Sequence, residues 1–231
     1  MQRFFLLALC YNPVMREKLA KHPILVNLAL WGFYYFCFTR VEKYVTVPKL
    51  IMHCRLDDLI PFVPQMIWFY VLWFPYIALT LFWFLKKEKR SSFWRLSLSC
   101  VIAMMLTLLF YCLVPNGTDI RPSAVSGNTL SLAMMRSIWA ADTPNNVFPS
   151  IHVFISLMID GYWQSSQAAQ RHPCIKWISH IIALMICAAT VFVKQHSVMD
   201  VLGGIAVALI VLCVDRHLAH KEKEGQCPSR S

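Results

Sequence analysis

His152, His196 and Asp200 stand in strongly apolar surroundings, and their types suit nucleophilic and acid–base chemistry. His196 and Asp200 are four residues apart, so a helix beginning near His196 puts both on one face, where the carboxylate accepts a hydrogen bond from the imidazole. His152 follows Pro149-Ser150, a helix-start signal, and therefore sits in a first helical turn. Arg121 lies in a connection opened by the turn signal Pro115-Asn116-Gly117. Helix N-termini with free N–H groups, an Arg fork and two imidazoles are what phosphate chemistry requires: charge neutralisation, a nucleophile and an acid. His152, His196 and Asp200 could hold zinc by ligand type, but no local motif such as H-E-x-x-H accompanies them. The expectation is a site with no metal and no cofactor.

These residues must be positioned by helices in lipid. The chain of 231 residues is 58% hydrophobic and only 15% charged, with a mean hydropathy of +0.52. A soluble domain is about a quarter charged. Apolar residues run over 23–38, 62–85, 96–114, 148–163, 177–193 and 198–214, each close to the length that crosses a bilayer. The predicted fold is all-α, a polytopic bundle of six transmembrane helices. One membrane domain covers 1–231: an interfacial N-terminal segment (1–22), a six-span catalytic core (23–214) and a cytoplasmic tail (215–231). The first three runs hold no Asp, Glu, Lys, Arg or His, whereas the last three hold His152, Asp160, His180 and Asp200. Asp160 and His180 fall near the inner ends of their spans and read as interfacial groups; His152 and Asp200 fall at outer ends, where intramembrane charge marks function.

Counting Lys and Arg on alternate sides of six spans puts fifteen with the termini and seven on the opposite face. Basic loops stay in the cytoplasm, so both termini are expected there, with the site at the outer face. The net charge of +10 needs no nucleic acid to explain it, since anionic membrane surfaces attract the same charge. Nine cysteines include no C-x-x-C pair, and several lie inside apolar runs as small hydrophobes.

Arg121-Pro122, Pro149-Ser150-Ile151-His152 and His196-x3-Asp200, in that order, resemble the three motif blocks of the type-two phosphatidic acid phosphatase superfamily, K-x6-R-P, P-S-G-H and S-R-x5-H-x3-D. The similarity runs from Asp57 onward, and "LDDLIPF" before the aromatic "WFYVLWF" is similar to the subgroup allied to inositol-phosphorylceramide synthases. The resemblance implies a membrane enzyme acting on a lipid phosphate, in which His196 takes the phosphoryl group, Asp200 fixes its tautomer and His152 protonates the leaving alkoxide. Arg121 and the Ser150 hydroxyl would hold phosphate oxygens. Three positions depart from the pattern: Val114 replaces the family Lys, Ala189-Thr190 replace Ser-Arg, and Ile151 replaces Gly. Lys194, two residues before His196, is the expected substitute cation. Hydrolysis by water gives a phosphatase; interception by an alcohol gives a headgroup phosphotransferase. A catalytically inactive membrane scaffold and a small transporter using His152 and Asp200 are the readings outside enzymology.

Overall fold

The computed structural model describes residues 21–225 and is about 74% helical. The expected interfacial segment and the end of the tail lie outside the described residues. In chain order the elements are α1 (Pro23–Tyr44), β1 (Leu50–Ile51), α2 (Arg55–Leu59), α3 (Ile67–Val71), α4 (Trp73–Lys87), α5 (Arg90–Leu113), β2 (Asn116–Gly117), α6 (Leu130–Ala141), α7 (Ile151–Gln164), α8 (Gln167–Arg171), α9 (Cys174–Phe192) and α10 (Val198–Gly225). A 3-10 turn, Pro64–Met66, leads into α3 and makes 64–87 one continuous apolar path.

Among the described residues, five helical stretches are long and apolar enough to cross a membrane: Pro23–Tyr44, Pro64–Lys87, Arg90–Leu113, Cys174–Phe192 and Val198–His220. The chain is a multi-pass membrane protein. The sixth expected span is not among them: α7 has only 14 residues, about 21 Å of helix against about 30 Å of hydrocarbon. Its surroundings explain how so short a helix is tolerated. Nine of its residues are buried, and it packs against α4, α5, α9 and α10, so its ends meet protein rather than lipid. By contrast α1 buries no residue.

Two ends of the bundle are distinct. At one, α7 and α10 begin, α1, α5 and α9 finish, and β1 pairs in parallel with β2 through Leu50–Asn116 and Ile51–Gly117. Asn116-Gly117 therefore form a strand rather than part of the expected turn. A backbone bridge from Gly117 to Asn145 extends it. At the other end, Arg95 pairs with Asp215 at 2.7 Å, Tyr162 donates to Asp215 at 2.8 Å, and the Glu88 carboxylate accepts the first N–H groups of α8. Asp160 and His180 also lie there, joined to each other at 2.8 Å, with Ser179 and Gln164 donating to the same carboxylate.

Candidate active site

The start of α10 is built before the helix begins. Ser197 precedes Val198 and acts as a cap: its Oγ accepts the Met199 N–H at 3.1 Å, while Asp200 Oδ2 accepts the Ser197 N–H at 2.8 Å. This is a capping box, with Asp200 reaching back from the third helical position. The same carboxylate oxygen meets His196 Nδ1 at 3.4 Å. The pair expected on a helix face is thus formed with His196 two residues before the helix, across the Ser197 cap. Asp200 is fully buried, and its Oδ1 has no protein partner.

A second carboxylate supports this cap from far away in the chain. Asp57 of α2 accepts the Ser197 hydroxyl at 2.6 Å and the Val198 N–H at 2.8 Å, and its own turn supplies the Cys54 N–H at 2.8 Å. Burial works against its charge, but these hydrogen bonds outweigh it and hold the Asp57 carboxyl below the usual range. Lys194 completes the link: its Nζ donates to the carbonyl oxygens of Asp57 and Ile60, both at 2.6 Å. Its backbone lies in the left-handed region, φ 57°.

The start of α7 is tied to the same place. Ser150 caps the helix by accepting the Val153 N–H at 3.4 Å, and its own N–H donates to the Asp200 carbonyl at 3.1 Å. Asn116 clasps the segment before it, accepting from the N–H groups of Val147 and Phe148 and donating to the Phe148 carbonyl. Tyr111 fixes the Pro149 carbonyl at 2.9 Å. His152 is packed between the rings of Tyr70 and Trp73, at 4.4 and 4.5 Å between centroids, and its ring centre is 5.7 Å from that of His196.

Arg121 arrives from the loop after β2. Its Nη2 donates to Gln195 Oε1 at 2.5 Å and to the Asp142 carbonyl at 2.8 Å, and its guanidinium lies over Trp139. Its Nε is buried without a partner. Burial lowers the Arg121 pKa, with Asp142 opposing the shift; burial raises that of Asp142 against the pull of His196 and Arg121. The Asp142 carboxylate accepts from Gln195 Nε2 at 3.1 Å and Tyr70 OH at 3.2 Å, so it closes the polar wall beside His196.

His152, His196, Asp200, Ser150 and Arg121 therefore converge on one end of the bundle. Lys194 is close in the chain, but its ammonium is engaged by α2 carbonyls. Asp57, Asp142, Gln195, Ser197, Tyr70 and Asn116 were missed as site residues. Ser197 is accessible from its S-x-x-D spacing; Asp57, Tyr70 and Asn116 stand in the quoted stretches LDDLIPF, WFYVLWF and Pro115-Asn116-Gly117 without a role being legible there, and Asp142 and Gln195 carry no local signal. Among the described residues, no group of three or more His, Cys, Asp and Glu side chains is arranged to hold a metal ion.

An apolar helical bundle with two helix starts, paired imidazoles and a buried guanidinium at one end suits a membrane phosphatase type of protein. The family model described as the PAP2 superfamily matches residues 61–214, two-thirds of the chain, and the chain belongs to that superfamily, whose members in general hydrolyse phosphate esters. No curated protein and no solved structure matches the chain.

Proposed function

We propose that this protein is an integral membrane lipid phosphate phosphatase, working through a phosphohistidine on His196 at the outer face of its membrane. The observation that carries this reading is the meeting of His196, held by Asp200, with His152 and with an Arg121 whose Nε has no protein partner. With its proton on Nδ1 toward Asp200, His196 presents the Nε2 lone pair to phosphorus. The P–N bond forms as the ester P–O bond breaks, and His152 gives its proton to the departing alkoxide. Arg121 and the Ser150 hydroxyl, whose own proton is free to donate, neutralise the spreading charge on the phosphoryl oxygens. His152, now neutral, takes a proton from the water that hydrolyses the phosphohistidine. The fifteen-to-seven division of basic residues supports placing both termini in the cytoplasm and the site opposite.

The test is phosphate release by the purified protein in detergent with EDTA, over a panel of lipid mono- and diphosphates. His196→Ala is expected to lose at least about 10³-fold; equal release by both proteins sinks the mechanism. Inositol, glycerol or diacylglycerol added as acceptor distinguishes the phosphotransferase by a new phosphodiester. A single Cys at exposed Ser126, in a background without other cysteines, should react with an impermeant maleimide from outside intact cells. Protection there reverses the orientation.

A further inference from the structure

A groove runs along the bundle between α1 and α4. It is lined by Ile24, Trp31 and Tyr34 of α1, Trp73 and Leu85 of α4, and Phe93 of α5, and encloses about 450 Å³. The gap exists because α1 leans on α5 instead of α4: Trp31 Nε1 donates to Ser97 Oγ at 3.0 Å, and Ser97 donates to Asn27, one turn away on α1. From Trp73 to Leu85 the wall is about 18 Å long at about 1.5 Å per residue, the extended length of a chain of about 14 carbons.

One residue joins this groove to the reacting end. Trp73 lines it and also stacks on His152, and its indole Nε1 is buried without a partner. A molecule with phosphate at His196 and an apolar body reaching past Trp73 has this groove as its continuation. Resting on the phosphatase reading, we infer that the groove is the seat of the substrate's hydrocarbon, and that it takes one linear chain: the substrate class is a long-chain phosphate monoester with a single tail. A tail leaving bilayer for the groove gains no hydrophobic free energy, so selection comes from fit along the aromatic wall.

The test uses the full chain in detergent. Ala78 lines the groove away from the histidines, and Ala78→Trp fills it. This variant is expected to lose about tenfold in kcat/KM on tetradecyl phosphate while hydrolysing butyl phosphate as the wild type does. Equal effects on the two esters, or no effect on either, overturn the assignment. A two-chain tetradecyl glycerol phosphate should be turned over more slowly than the single-chain ester, and equal turnover overturns the single-chain limit. The second measurement is independent of turnover. Tetradecyl phosphate carrying a diazirine at its tail should label α1 and α4 in His196→Ala protein, and the matching alcohol should not. Equal labelling by the alcohol means a cleft filled by any lipid and overturns the proposal. If the wild type hydrolyses no phosphate ester, the phosphatase reading fails by itself, and the labelling still decides the groove.

Discussion

In the proposed mechanism His152 and His196 have opposite proton duties, one giving a proton as the other attacks unprotonated. Their rings are 5.7 Å apart, close enough for one phosphoryl group to lie between them. The rate of the free enzyme then requires one imidazole neutral and the other charged, so log kcat/KM should rise and fall across about pH 5 to 9. A flat profile over that interval removes this division of roles. The residues proposed for attack and protonation each sit beside a local signal, Pro149-Ser150 for His152 and the four-residue spacing for His196. Lys194 was not readable in the same way. Charge balance alone assigns it to phosphate, whereas its ammonium holds the carbonyls of Asp57 and Ile60. Asp142 and Gln195 show a similar limit, since they meet only through a tertiary contact between the end of α6 and the approach to α10.

At the scale of elements, two helix starts share one set of fastenings. Asp57 satisfies a hydroxyl and an N–H at the head of α10, so Asp57→Asn should cost about 1–3 kcal/mol, read as a lower Tm in detergent. Because its folded pKa is depressed, the carboxylate's contribution is present above its unfolded value of about 3.9 and fades as pH falls through the folded one. The variant should accordingly lose part of the acid limb of the Tm profile; an unchanged limb contradicts the cap. Gly204 lets α10 approach α7: a Cβ there would stand 2.8 Å from the Ser150 carbonyl oxygen, which is backbone and cannot swing away. Gly204→Ala should destabilise by about 1–3 kcal/mol and lower kcat, while Gly32→Ala, with nothing within 4 Å, should leave kcat unchanged and the Tm equal or higher. Equal outcomes at both glycines would show that the close approach is unimportant. The long helices were legible from hydropathy, but α7 was overextended. A hydropathy run records apolar residues and not that neighbouring helices, instead of lipid, cover the ends.

Across the whole molecule, the segments around the site are joined by an exposed bridge as well as by the small sheet. His53 contacts Asp119 through Nδ1 at 2.8 Å and Asp58 through Nε2 at 2.9 Å, and Asp119 is two residues before Arg121. The bonds from Asp58 and then Asp119 raise the His53 pKa. The raised folded value makes the bridge fully present below the unfolded pKa of about 6.5 and lost as pH climbs through the folded one. Amide hydrogen exchange at Thr118 and Asp119, corrected for intrinsic rate, should speed up over that climb in the wild type and show no such step in His53→Gln. A step that persists in the variant assigns it to another group. The link between Asp57 and Ser197, 140 residues apart, also has a consequence for biosynthesis. At about 5–20 residues per second, a ribosome delivers the second partner roughly 7–28 s after the first. For that interval the early helices are in place while the head of the last one does not yet exist, so no nascent intermediate possesses the assembled histidine pair. On the proposed mechanism, a growing chain stays chemically inert among the membrane's own lipids until its final helix arrives.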